Sequence, residues 1–64
     1  MKKSDLNRNV LFKKVKYKND NKIYILSGYT KNFFAKKNCK IFDPETYDIF
    51  WVNNKDIELI EKES

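Results

Sequence analysis

The chain alternates apolar and polar side chains over several short runs, a period typical of β-strands. The alternation is clearest at residues 14–18, where three lysines enclose a valine and a tyrosine. We predict a first strand over about 11–18, with these two apolar side chains pointing inward. Val10 and Phe12 have the opposite parity, and a bulge or bend near Lys13 would reconcile the two sets.

A hairpin is predicted next. Residues 19–21 are Asn-Asp-Asn, which tolerate left-handed backbone angles and suit a tight turn. A second strand follows over 22–29, with two isoleucines facing one way and Tyr24 and Leu26 the other. A strand that is apolar on both faces is typical of the centre of a sheet or of strong curvature, and Gly28 marks the expected kink.

The strongest local signal is a second hairpin. Two runs rich in β-formers, 39–42 and 47–52, flank the turn 43–46. Pro44 presets the backbone for the first corner of a type I turn, and the Asp43 carboxylate can cap that turn.

The end of the chain has two interpretations. Residues 53–56 break the preceding strand, and 57–60 are predicted as a short closing strand with Ile57 and Leu59 inward and Glu58 outward. A final helix is the alternative, because residues 58–62 also tolerate helix.

Two segments have no clear period. Residues 1–9 are expected to form a flexible polar arm, or a short helical turn capped by Ser4. Residues 30–38 could form a long loop, a helical turn capped by Thr30, or an irregular strand.

The order of these elements resembles the Src-homology-3-like small β-barrel, in which a meander of strands ends in a tight polar turn before a short last strand. The resemblance covers residues 10–60 and is a pattern of strands and turns. It is carried by the strand 14–17, the hairpin turn 43–46 leading into 50–52, and the turn 53–56 leading into 57–60.

The resemblance implies an all-β fold: one five-stranded barrel over residues 10–64, with residues 1–9 as its polar arm. Members of this class are mostly binding modules for nucleic acid, ribosomes or peptides, and several small phage-encoded ones bind a host protein. Bacterial members often have glycine where this chain has Asn21 and Tyr47, which leaves the turn types open. An OB-like barrel, or a sheet packed by one helix, also fits the pattern.

The charge is distributed unevenly along the chain, and this distribution indicates the kind of partner to expect. The 64 residues carry 14 basic and nine acidic side chains, a net charge of +5. Residues 1–40 hold twelve basic and two acidic side chains, whereas residues 41–64 hold two and seven. A basic face attracts polyanions or acidic protein surfaces. Arg8 is the only arginine, and lysine lacks the planar fork that reads base edges, so we expect contacts to the nucleic-acid backbone.

Ten aromatic side chains are too many for so small a core to bury. Exposed aromatics beside lysines form stacking platforms for single-stranded nucleic acid and also protein hot spots. The predicted binding residues are Lys14, Lys16, Lys18, Lys31, Lys36, Lys37, Tyr29, Phe33 and Phe34. The two phenylalanines could instead cap the end of a barrel, and Trp51 is expected to be buried.

Several classes of chemistry are not expected. Cys39 is the only cysteine and histidine is absent, so we expect no disulfide, no zinc site, no cofactor and no catalysis. Cys39 is expected to be a small buried hydrophobe in a cytoplasmic protein, with no membrane contact.

We therefore predict a non-catalytic module that binds nucleic acid or a nucleoprotein without sequence specificity. The alternative is a protein-binding module, such as a phage or mobile-element factor that inhibits or modulates a host protein through an acidic surface of that protein.

Overall fold

A computed structural model describes residues 1–32 and 34–60 of the chain. Its centre is one antiparallel sheet of five strands. The strands are β1 (Lys14–Tyr17), β2 (Lys22–Tyr29), β3 (Cys39–Phe42), β4 (Ile49–Val52) and β5 (Ile57–Leu59). Three short 3-10 helices accompany them at Lys3–Asp5, Arg8–Val10 and Asn54–Asp56. The all-β prediction is confirmed. The alternative helix over 58–62 is wrong for residues 58–59, which belong to β5, and residues 61–62 lie outside the described residues.

The strands follow the order β4-β3-β2-β1-β5 across the sheet. β1 to β4 form a meander of hairpins, and β5 returns to pair with β1 on its other side. β2 is therefore central, as its two apolar faces predict. The pairing of β2 with β3 shifts register between Leu26 and Gly28, at the kink expected near the only glycine.

Carboxylates hold both hairpin turns. In the β1–β2 turn, the Lys22 N–H donates to Asp20 Oδ1 at 2.9 Å. In the β3–β4 turn, the Glu45 N–H donates to Asp43 Oδ1 at 2.9 Å, and this bond lowers the pKa of Asp43. The predicted capping role of Asp43 is confirmed, because its carboxylate satisfies a backbone donor inside the turn.

The backbone is left-handed at Asn21 and Tyr47, the two positions where bacterial Src-homology-3-like barrels often have glycine. Asn21 has a φ of 58° and Tyr47 a φ of 64°. Asparagine tolerates this conformation, whereas a tyrosine there is strained by about 1 kcal/mol. Glycine would relieve that strain. Both turns therefore have the backbone geometry that glycine favours, although neither position holds a glycine.

The predicted bulge near Lys13 is confirmed. The Phe12 N–H donates to the Leu26 carbonyl at 2.7 Å, while the Leu26 N–H donates to the Lys13 carbonyl at 3.0 Å. Two residues thus oppose one, and Phe12 has a φ of 66°, the arrangement of a bulge whose first residue is left-handed. The chain turns here from the N-terminal segment into β1.

One face of the sheet forms the core. Its buried apolar residues are Leu6, Val10, Val15, Tyr24, Leu26, Cys39, Ile41, Val52 and Ile57. The Tyr17 and Phe50 rings meet edge to face with centroids 5.8 Å apart. They belong to β1 and β4, which would be about 14 Å apart in a flat sheet. The sheet is therefore strongly curled around these side chains.

The N-terminal segment packs on this core. Leu6 is fully buried, and the Met1 amino group donates to the Ile57 carbonyl at 2.7 Å. Residues 1–9 are predicted as a flexible polar arm or a short helical turn, and Leu6 of this segment belongs to the buried core. A short helical turn is present, but Lys2 rather than Ser4 occupies its N-cap.

Candidate binding surfaces

A basic depression lies where the N-terminus, the loop 30–38 and the 3-10 helix Asn54–Asp56 meet. Its volume is about 650 Å³. Four lysines line it, namely Lys2, Lys3, Lys36 and Lys55. No carboxylate belongs to its lining in the part of the chain that the structure describes. We call this feature the basic depression.

Two buried asparagines hold the floor of the basic depression. Asn38 Nδ2 donates to Asn54 Oδ1 at 2.8 Å, and the Asn54 backbone N–H donates to Asn38 Oδ1 at 2.8 Å. Asn54 Nδ2 also donates to the Met1 carbonyl at 2.7 Å. These bonds tie the loop, the 3-10 helix and the N-terminus together. Because both amides are buried, each bond is costly to lose.

The loop 30–38 is neither helix nor strand in its described part. The Asn32 N–H donates to Thr30 Oγ1, and the Phe34 N–H donates to Asn32 Oδ1 at 3.0 Å. This chain of side-chain bonds to the backbone fixes a turn and directs Phe34 outward. Phe34 is 88% exposed at the rim of the basic depression. The alternative that Phe34 caps the end of a barrel is therefore wrong.

The predicted binding residues do not form one surface. Phe34 and Lys36 line the basic depression, and Lys37 lies in the adjacent groove. Lys31 is exposed but lines neither, and Lys18 lies in the β1–β2 turn. Phe33 is outside the described residues.

The other three predicted residues belong to the sheet. Tyr29, at the end of β2, is half-buried and packs on the core, because the register shift before it turns it to that face. Lys14 and Lys16 lie on the opposite face, as strand alternation requires.

Sequence reasoning missed most of the wall and all of the floor of the basic depression. Lys2 and Lys3 belong to the segment predicted to be a polar arm, and Lys55 belongs to the predicted turn 53–56. Asn38 and Asn54 carry no periodic signal, since loop asparagines are usually exposed. The one clue in the sequence is that Asn38 directly precedes β3 and Asn54 lies in the short turn after β4.

The second surface is the outer face of the sheet, opposite the core. Its apolar residues are Ile23, Ile25, Phe42, Ile49 and Trp51, and the Tyr47 ring packs on Phe42 at a tilt of 43°, with centroids 5.8 Å apart. Trp51 is 43% exposed and Ile49 is 59% exposed. The prediction that Trp51 is buried is wrong, because Phe50 and Val52 take the core-facing parity of β4. Exposed apolar groups collected on one face mark an interaction surface.

Charges border the outer face. Lys14 and Lys16 lie on β1, with Glu58 opposite Lys16 on β5. Lys40 lies opposite Trp51, with its Nζ 6.0 Å from the centre of the ring. This distance is at the outer limit of a cation–π contact.

An open groove runs beside β4. Its volume is about 450 Å³, and Phe50, Trp51 and Val52 form one wall. Lys36 and Lys37 close one end of it, and Asp56 is its only carboxylate among the described residues. The Asn53 side chain donates to the Lys36 carbonyl at 2.6 Å and separates this groove from the basic depression.

Cys39 has no part in either surface. It is fully buried on β3, and burial raises the pKa of its thiol to about 11. A thiol with so high a pKa is a poor nucleophile at neutral pH. The prediction of a small buried hydrophobe is confirmed.

No protein-family model matches this chain, and neither the curated proteins nor the solved structures contain a match. Within residues 1–32 and 34–60, no helix has the length and apolarity needed to cross a membrane. Over the same residues, no three metal-ligating side chains are grouped closely enough to hold an ion.

Proposed function

We propose that this protein is a non-catalytic module that binds single-stranded nucleic acid, without sequence specificity, in the basic depression. The observation that carries the proposal is the combination of four lysines, no carboxylate in the described wall, and an aromatic ring 88% exposed at the rim. Nucleic-acid phosphates supply the negative charge that this wall lacks.

Each part of the depression has a separate role in this proposal. The lysine ammonium groups neutralise successive phosphates and release counterions. Phe34 stacks on one base, an interaction that every base can make. Lysine contacts carry no base readout, so affinity depends little on sequence.

We also propose that the sheet is a Src-homology-3-like barrel. Three features support this: the meander from β1 to β4, the short 3-10 helix before β5, and the return of β5 to β1. The strong curl that brings Tyr17 to Phe50 also supports a barrel. In this architecture the basic depression lies at the end of the barrel where loops converge.

Salt-dependent binding to a fluorescent oligonucleotide tests the function. The variant Lys36→Gln/Lys55→Gln removes two cations from the depression. The slope of log affinity against log salt should become shallower by about 1.4, because each phosphate contact to a single strand contributes about 0.7. Phe34→Ala should weaken binding about 5- to 100-fold at constant salt slope, since stacking is worth about 1–3 kcal/mol.

The matched control is Lys22→Gln/Lys31→Gln, which removes the same charge from exposed positions outside the depression. Its slope should stay close to that of the parent protein. Equal losses in the two double variants would show attraction by net charge alone and would contradict a site in the depression. An affinity independent of salt would contradict nucleic-acid binding altogether.

A protein partner is the second candidate, favoured by the exposed apolar side chains of the outer face. It predicts a complex that survives nuclease and is lost in Ile23→Lys, a change on the centre of that face. That substitution lies outside the lining of the basic depression, so oligonucleotide binding should be unchanged. Loss of oligonucleotide binding in Ile23→Lys would show instead that the outer face binds nucleic acid.

A further inference from the structure

We propose that two copies of this chain associate through the free edges of β4, in antiparallel pairing, to form one continuous sheet. This association uses a different edge of the molecule from the proposed nucleic-acid site, although Lys36 borders both. It rests on the backbone pattern of β4, on the side chains of the same residues, and on the charges at the two ends of the strand.

The backbone pattern gives β4 an unpaired edge with regular spacing. The Asp43 N–H donates to the Asp48 carbonyl at 2.8 Å, which makes this pair a hydrogen-bonded one. Bonded and non-bonded pairs alternate in an antiparallel ladder. Phe50 and Val52 therefore bond to β3, whereas Ile49 and Trp51 direct their N–H and C=O groups away from it. No strand lies on that side of β4 in the described sheet.

The space beside this edge is open. The groove of about 450 Å³ described above follows Phe50, Trp51 and Val52, and Tyr17 and Asp56 also line it. Unpaired backbone groups next to open space are a template for a further strand. Natural edges are often blunted by lysine or proline, but the four residues of β4 include neither.

Only residues with outward backbone groups can bond across the edge. A two-fold axis beside Phe50 gives the register that pairs both of them, with Ile49 of one copy opposite Trp51 of the other, and the reverse. Their exposed side chains lie on the same outer face and would cover each other. The symmetric pairing uses the same patch on both copies and closes as a dimer.

The charges at the ends of β4 are self-complementary in this register. Asp48 precedes the strand, while Lys36, Lys37 and Asp56 line the groove beside residues 50–53, where the lysines outnumber the carboxylate. Antiparallel pairing brings Asp48 of one copy toward the two lysines of the other. A parallel pairing would place like charges together, which is unfavourable. This complementarity favours a second copy over an unrelated strand, despite the net charge of +5 on each copy.

The dimer is expected to be weak. A single short strand buries less area than stable complexes need, so the dissociation constant should be of the order of 10⁻⁴ M. Salt should weaken it further by screening the end charges.

Sedimentation equilibrium over a wide concentration range tests the proposal. The parent protein should change from monomer to dimer with rising concentration. Emission from Trp51, the only tryptophan, should shift to shorter wavelength over the same range as the ring is covered. Ile49→Lys should remain monomeric, because lysine on an edge opposes pairing.

Ile23→Lys is the matched control, since it places the same charge on the same outer face but on the central strand. It should still dimerise. Dimer loss in both variants would indicate stacking of the outer faces and would overturn edge pairing, as would a parent protein that stays monomeric at millimolar concentration. Ile49→Pro gives a second test, because it removes an outward N–H together with the isoleucine side chain and adds no charge, and an unchanged dimer in that variant would also overturn the proposal. Circular dichroism of each variant verifies that the sheet is retained.

Discussion

The basic depression and the outer face differ in how they are built. The outer face consists of strand residues, and the pleat alone decides that Ile23 and Ile49 point to it. The basic depression is assembled from three segments distant in sequence, which the Asn38–Asn54 pair holds together. One surface is periodic and apolar, whereas the other is irregular and cationic. Periodic surfaces follow from local sequence, but assembled ones depend on a few buried polar contacts.

Breaking the assembled surface should produce the largest effect. Asn38→Ala removes two hydrogen bonds and leaves the buried Asn54 N–H without its acceptor. We expect the free energy of unfolding to fall by about 3 kcal/mol, because an unsatisfied buried donor is costly. Oligonucleotide affinity should fall with it at temperatures where the variant is folded. Urea denaturation followed by Trp51 emission measures the stability.

Asn9→Ala is the control for that experiment, because Asn9 is exposed. It should change stability by less than about 0.5 kcal/mol. A loss of similar size in both variants would show that the asparagine pair does not hold the depression.

Beside the outer face, a substitution in the β3–β4 turn should change stability by a smaller amount and in the opposite direction. Tyr47→Gly should raise the free energy of unfolding by about 0.5 kcal/mol, since glycine relieves the left-handed strain but loses the contact with Phe42. Asn21→Gly should have almost no effect, because asparagine already tolerates its φ of 58°. Thermal denaturation of the two variants compares them, and a gain at position 21 equal to that at position 47 would contradict the strain assignment.

The smallest effect should come from the anchor of the β1–β2 turn, which belongs to neither surface. The Tyr24 hydroxyl donates to Asp20 Oδ2, which lowers the pKa of Asp20 and raises the pKa of Tyr24 to about 12. A lowered Asp20 pKa gives stability that is complete above pH 3.8 and is lost on acidification. A raised Tyr24 pKa gives stability that is complete below pH 10 and is lost as the pH rises toward 12.

Tyr24→Phe should therefore flatten both limbs of the stability–pH curve while leaving oligonucleotide binding at pH 7 unchanged. Urea midpoints at pH 3, 7 and 11 measure the curve. If Tyr24→Phe kept the steep limbs of the parent protein, the Asp20–Tyr24 bond would not be their source.

The comparison also explains what the sequence could predict. Alternation predicts β1 and β5, and short runs of apolar and β-forming residues predict β2, β3 and β4. Asp43 and Pro44 predict a turn, and the opposite parity of Val10 and Phe12 predicts the bulge. These are local effects of backbone geometry. Trp51 was assigned to the core because tryptophan is buried on average, but the parity of β4 overrides that average.

The basic depression could be predicted only in part, because no local rule brings residues 2, 36 and 55 together. Their proximity depends on Leu6 entering the core and on the pairing of Asn38 with Asn54. Both are contacts between segments far apart in the chain. A lysine-rich composition favours an anionic ligand as a hypothesis, but the fold decides which lysines share a wall.

Mapping of backbone amide shifts in the ¹⁵N-labelled protein, titrated with a short single-stranded oligonucleotide, tests the central claim most directly. We expect shifts at residues 2–3, 34–38 and 53–55, the wall of the basic depression. The amides of Ile23 and Ile49 should remain unshifted at protein concentrations too low for dimerisation. Shifts concentrated on the outer face, or spread evenly over every lysine-bearing segment, would contradict the assignment of nucleic-acid binding to the basic depression.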